Sequence, residues 1–299
     1  MPKLSFSERL IDPSSPDRRP RRAAYALPTM FTAGNVFLGF VSLLQSYQGA
    51  IDASAGSLGW NSHFEVAAKT IGWAVFLDGL DGRIARMTNT VSDFGREMDS
   101  LADVITFGIA PAVLAFTWGM QFVQPPFENI PHDTLLRIGY FVSFLFLLCG
   151  AVRLARFNVQ TNPVPKNPGR PDRKYFVGLP IPAGAGMVAA VAYASGSVPL
   201  QWWVLSLLWM ALVGLLSFLM VSTWRYPSFK GLNLSRPRSP LTIILVASLI
   251  YLIWNFSQPV LLALGIAYVG SGIAIRLGGI VRRHFRRPPP PPLMEQPVG

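Results

Sequence analysis

Four aspartates, Asp78, Asp81, Asp99 and Asp103, set the chemistry open to this chain. Asp78 and Asp81 are three residues apart, and Asp99 and Asp103 are four apart. On helices, each pair therefore shares one face. Both pairs border long apolar runs, where carboxylates are costly and usually functional. Four carboxylates facing one another would repel unless a cation sat between them. Hard divalent cations take oxygen ligands, and magnesium favours carboxylates together with phosphate oxygens. Zinc is disfavoured, because His63, His132 and His284 all lie outside the stretch and there is no His/Cys cluster. Two pairs supply enough oxygens for two metals, and two-metal sites suit displacement at phosphorus. Gly82 and Gly95 allow close backbone approach, Ala85 is small, and Arg86 can grip a phosphate with two hydrogen bonds. Arg83 and Arg96 read as helix-end anchors, and Asp93 and Glu97 as solvated or salt-bridged.

The elements that must position these residues are membrane helices. Of 299 residues, 51% are hydrophobic and 14% charged, against about 25% charged in an average soluble domain. Eight apolar segments are expected to span a bilayer: 27–48, 64–87, 98–122, 135–157, 178–198, 202–223, 239–257 and 259–280. With residue 1 in the cytoplasm, the cytoplasmic loops and adjoining span ends hold every Lys and Arg except Lys69 and Arg137. The positive-inside rule thus supports an all-α integral membrane protein with about eight transmembrane helices and both termini cytoplasmic. The net charge of +11 then reflects topology and anionic headgroups rather than nucleic acid. Both aspartate pairs fall at the cytoplasmic edge, on neighbouring helices. Residues 1–24 read as a disordered basic arm, 25–281 as a transmembrane catalytic domain, and 282–299 as a basic tail with five consecutive prolines, Pro288 to Pro292. No cleavable signal peptide is expected. The lone Cys149 reads as a small buried hydrophobe. Gly184 and Gly186 suggest a close helix contact in the fifth span.

Asp78, Asp81, Gly82, Ala85, Arg86, Gly95, Asp99 and Asp103 fill all eight fixed positions of D-x2-D-G-x2-A-R-x8-G-x3-D-x3-D. This resembles the signature of the CDP-alcohol phosphatidyltransferase family. The resemblance implies a helical core that binds a CDP-linked lipid and two divalent ions, Mg2+ or Mn2+. It implies that Asp78, Asp81 and Asp99 are metal ligands, and that Asp103 binds metal and acts as base on the acceptor hydroxyl. Gly82, Ala85, Arg86 and Gly95 would line the CDP pocket, with Ser92 as a further nucleotide contact. Pro28 to Thr32 resembles the family's Pro-Asn-x-x-Thr start, so Thr29 and Thr32 would also face the nucleotide, with Thr29 where Asn is common. Asn35 reads equally as an interhelical hydrogen-bonding group or a ligand contact. The family often forms dimers, which implies a homodimer as a candidate assembly.

Three further stretches resemble the phosphatidylserine synthases within that family: Asp99 to Ala112, Arg153 to Asn158, and Phe176 to Gly184. They imply CDP-diacylglycerol as donor, L-serine as acceptor, and membrane lipids as surroundings. Serine carries a carboxylate that wants a cation. Arg153 and Arg156, three apart near the cytoplasmic end of the fourth span, fit it or the lipid phosphate, and fit positive-inside topology equally. Glycerol 3-phosphate and an inositol phosphate stay open as alternative acceptors. An ion-coupled transporter is the alternative of another class, but it leaves the Gly and Arg positions between the carboxylates unexplained.

Overall fold

A computed structural model describes residues 22–57, 59–88, 93–125, 131–161, 175–227 and 240–285. The N-terminal arm through residue 21, Ser92 and the five-proline tail lie outside the described residues. The side chains of residues 22–29 and 81–88, inside helices, are likewise outside the description.

Each expected span coincides with a helix. In chain order these are α1 (Arg22–Ser54), α2 (Trp60–Thr88), α3 (Asp93–Asp103), a π-helical stretch (Val104–Ile109), α4 (Ala110–Gly119), α5 (His132–Thr161), α6 (Ile181–Ala194), α7 (Trp203–Val221), α8 (Pro240–Asn255) and α9 (Ser257–Phe285). Among the described residues, four stretches are long and apolar enough to cross a membrane: Gly95–Gly119, His132–Val159, Trp203–Val221 and Ser257–Gly278.

α1 shows how such helices are sorted without a water-driven core. Its buried side is small and polar: Thr32, Asn35, Gly39, Ser42, Ser46 and Gly49, at alternating steps of three and four. Its exposed side carries Met30, Phe37, Phe40, Leu44, Tyr47 and Ile51. That is the reverse of a soluble amphipathic helix, and it suits a helix whose outer face meets lipid. The seam packs on α2, where the Ser42 hydroxyl donates to the Ala67 carbonyl at 3.0 Å. At the far end His63 meets Asp52 at 3.1 Å and Gln45 at 2.7 Å. A Cβ on Gly39 would lie 2.8 Å from Thr106 Cα, so glycine there lets α1 reach the π-helical stretch. The Thr106 hydroxyl donates across that contact to the Asn35 carbonyl at 3.0 Å.

α3, the π-helical stretch and α4 run on as one helix, since Asp103, Ile109 and Ala110 all keep right-handed helical dihedrals. Pro111 in the first turn of α4 explains the widened turn. Proline offers no N–H to the carbonyl four residues back, and its ring would clash with that carbonyl. A wider turn relieves both, and the Ala110 N–H bonds Ile105 O, five residues back.

Two departures from the sequence expectation lie near the fifth span. α6 begins only at Ile181 and has 14 residues, about 21 Å at 1.5 Å per residue. Pro180 in extended geometry precedes it and Pro182 sits in its first turn. Before it, Tyr175–Val177 (β1) pairs antiparallel with Arg225–Pro227 (β2), Phe176 opposite Tyr226. The fold is therefore helical with one small two-stranded sheet among the described residues. Arg156 pins this hairpin: its guanidinium donates to Val221 O at 3.1 Å and Val177 O at 3.3 Å. Gly178 makes room, with φ at +79° and a Cβ position that would overlap the Met220 carbonyl oxygen. α9 closes over β2, and Gly272 lies where a Cβ would overlap the Tyr226 ring. Burial pushes the Tyr226 phenol up to about 12, so it stays neutral. Gly184 is similarly tight against Met220 of α7, whereas Gly186 leaves ordinary contact distance to Val75.

Gly178→Ala should therefore destabilise the hairpin, by about 1–3 kcal/mol for a non-glycine residue held at positive φ. Thermal unfolding in detergent, followed by tryptophan fluorescence, should show a lower midpoint than wild type.

Candidate metal and phosphate site

The continuous helix that begins with α3 carries Asp99 and Asp103, and α2 carries Asp78. The carboxylate oxygens of these three residues lie within 4.8 Å of one another. Asp103 is buried, 8% exposed, while Asp78 and Asp99 are half-buried. Asp81 lies three residues beyond Asp78, in the helical part of α2 where side chains are not described. Gly82, Ala85 and Arg86 follow in that same part of the helix, and Thr29 falls in the corresponding part of α1. Gly95 is half-buried in the first turn of α3, and Thr32 is buried on the inner seam of α1. Glu97 is exposed, in keeping with a solvated charge.

Three carboxylates this close repel by roughly 3–4 kcal/mol per pair at an effective dielectric of about 20. Such a donor set, all oxygen and partly buried, fits a hard divalent cation. The buried polar groups around it belong to neighbouring helices. Arg153 on α5 is only 9% exposed. It lies within the electrostatic reach of the Asp103 carboxylate, and its Nε finds no hydrogen-bond partner among the described residues. A buried guanidinium with an unused donor beside a carboxylate cluster is suited to an anionic ligand. Arg156, by contrast, spends two donors on backbone carbonyls, those of Val177 in β1 and of Val221 at the end of α7. The side-chain oxygen of Asn35 is buried and finds no partner among the described residues, while its main-chain carbonyl takes the interhelical bond from Thr106.

Sequence reasoning missed Tyr268. It lies on α9, its ring packs on that of Tyr226 with centroids 5.8 Å apart, and its hydroxyl donates to Pro227 O at 3.4 Å. No local signal marks it, because these contacts join elements far apart in the chain. The widened helical turn directly after Asp103 was also missed, although Pro111 inside an apolar span was its visible cause.

A family model described as CDP-alcohol phosphatidyltransferase matches residues 25–205. The chain belongs to the CDP-alcohol phosphatidyltransferase family. Among curated relatives, a CDP-diacylglycerol–serine O-phosphatidyltransferase of Helicobacter pylori is 39% identical over 214 residues, 71% of this chain and 76% of the relative. The protein of the same name from Bacillus subtilis is 31% identical, over 68% of this chain and 91% of the relative. An archaetidylserine synthase of Methanothermobacter thermautotrophicus is 34% identical, over 70% and 73%.

The carboxylate cluster makes a signed prediction. Asp99→Asn should raise the thermal midpoint of the metal-free protein, because relief of even about 1 kcal/mol of repulsion corresponds to roughly 2–4 °C. Added Mg2+ should raise the wild-type midpoint and leave that of the variant nearly unchanged. Differential scanning fluorimetry with and without chelator checks both.

Proposed function

We propose that this chain transfers the phosphatidyl group of CDP-diacylglycerol to L-serine, giving phosphatidylserine and CMP. The observation that carries this reading is the convergence of Asp78, Asp99 and Asp103 within a family whose curated relatives are named for that reaction. With Asp81 completing the ligand set, these residues would hold Mg2+ or Mn2+, two ions at full occupancy. When bound, the metal neutralises charge on the pyrophosphate and on the departing CMP. Gly82, Ala85, Arg86 and Gly95 cradle the CDP group, with Ser92, Thr29 and Thr32 as further contacts. Arg153 receives the serine carboxylate or the lipid phosphate, which is supported by its burial and its unused donor. Arg156 backs it from the hairpin.

Asp103 takes the proton of the serine hydroxyl. The serine oxygen then bonds to the phosphorus bearing diacylglycerol, and the bond from that phosphorus to CMP breaks. The signature offers no protein nucleophile, so a single in-line displacement is the simplest course. The acyl chains remain among the lipid-facing apolar side chains. The site faces the cytoplasm of a prokaryotic cell, in an eight-span protein of the cell membrane. This orientation is supported by the skew of Lys and Arg.

The purified chain, given labelled serine, CDP-diacylglycerol and Mg2+, should form phosphatidylserine and CMP in equal amounts. Glycerol 3-phosphate or an inositol phosphate should give no comparable product; a preference for either would replace serine as the acceptor. Asp103→Asn should lower transfer by about 10²–10⁴-fold or more, the usual contribution of a general base, while its circular dichroism stays that of the wild type.

A further inference from the structure

The helix carrying Asp99 and Asp103 is fastened to α5 by a hydrogen-bond relay. The Asn158 side-chain amide donates to Ser100 Oγ at 2.8 Å. Ser100 Oγ in turn donates to Arg96 O, one turn back in α3, at 3.0 Å. A serine hydroxyl has one proton. That proton is committed to Arg96 O, so Asn158 must be the donor in the first bond. Ser100 adjoins Asp99 in sequence and precedes Asp103 by three residues, so the relay grips α3 between the two carboxylates.

The grip opposes a specific force. Asp99 and Asp103 are crowded against Asp78 of α2, and repulsion among these like charges favours separation of α3 from α2. On α5, Arg153 attracts Asp103, and Asn158 holds Ser100 five residues further along. Of the two, the Asn158 bond is the one made by a neutral group at hydrogen-bond distance. Arg153 is free to turn to an anionic ligand only if something else fixes the register of α3. Asn158 is neutral and its donor points at a hydroxyl, so it can fix that register without competing for the cation.

We infer that Asn158 is a positioning residue for the metal site: through Ser100 it sets the placement of Asp99 and Asp103. The inference rests on the reading of the carboxylate cluster as a divalent-cation site. Groups that orient metal ligands from outside the coordination shell typically change metal affinity by about 10–100-fold when removed. Asn158 acts one residue further out, so the lower end of that range applies.

The test is Mn2+ binding to the purified full-length protein in detergent, read by the electron paramagnetic resonance signal of free Mn2+. Asn158→Ala should bind Mn2+ about tenfold more weakly than wild type. Ser100→Ala should do the same, and the double variant should be no worse than either single one, since both break one relay. Ser100→Thr keeps the hydroxyl and should bind Mn2+ as wild type. In transfer assays the activating metal concentration should rise while the serine KM stays put. Wild-type Mn2+ affinity in Asn158→Ala would overturn the inference, as would losses that add in the double variant. If Asn158→Ala does not fold, Ser100→Ala against Ser100→Thr carries the same test. A serine KM that rises with Mn2+ affinity unchanged would make Asn158 a substrate contact and overturn the positioning role. A wild type that binds no Mn2+ would overturn the metal reading itself, and the inference with it.

Discussion

Like charge held at short range is the constraint on which this structure turns. Asp78, Asp99 and Asp103 lie within 4.8 Å of one another, and Asp103 is buried. Repulsion across that arrangement favours separation of α2 and α3. It persists because both helices are held from behind: α2 by the small and polar seam of α1, and α3 by α5 and by the rigid continuation into α4. An all-oxygen, partly buried donor set of this kind fits a hard divalent cation, whose charge would offset the repulsion.

The surrounding architecture follows from holding that site in lipid. α1 turns its large apolar residues outward and its Thr, Asn, Ser and Gly residues inward, since close packing and polar contacts associate helices where solvent cannot. Pro111 forces a wide turn directly after Asp103, and Gly39 admits Thr106 of that turn against α1. On the other side, Arg156, Gly178 and the β1–β2 pair tie α5, α6 and α7 together. α9, beyond the segment matched by the family model, packs on that strand pair through Tyr268 against Tyr226 and Pro227.

The sequence disclosed the helices and the gathering of three of the four aspartates, because both are written locally. Apolar length marks a helix, and i, i+3 and i, i+4 spacing marks a shared face. Asp78, Asp99 and Asp103 meet as their spacing implied. What stayed hidden depends on pairing distant segments. The hairpin joins residues 50 positions apart, with strands of only three residues, too short for any periodicity. Its glycine, Gly178, looked like part of a membrane helix until its positive φ was seen. Arg153 and Arg156 looked equivalent, three apart on one face; their tertiary neighbours separate them, one beside Asp103 and the other on backbone carbonyls. Asn158 stood in a recognisable stretch without a role, because its partner is 58 residues upstream.

Crystals of the full chain grown with Mn2+ and CDP-diacylglycerol, measured at the manganese absorption edge, test whether the aspartate cluster gathers divalent cations around the pyrophosphate of a CDP-lipid. Strong anomalous peaks are expected within coordination distance, about 2.0–2.6 Å, of Asp78, Asp99 and Asp103, beside the pyrophosphate oxygens. Bound CDP-diacylglycerol with no anomalous peak at these carboxylates would rule out a metal site there.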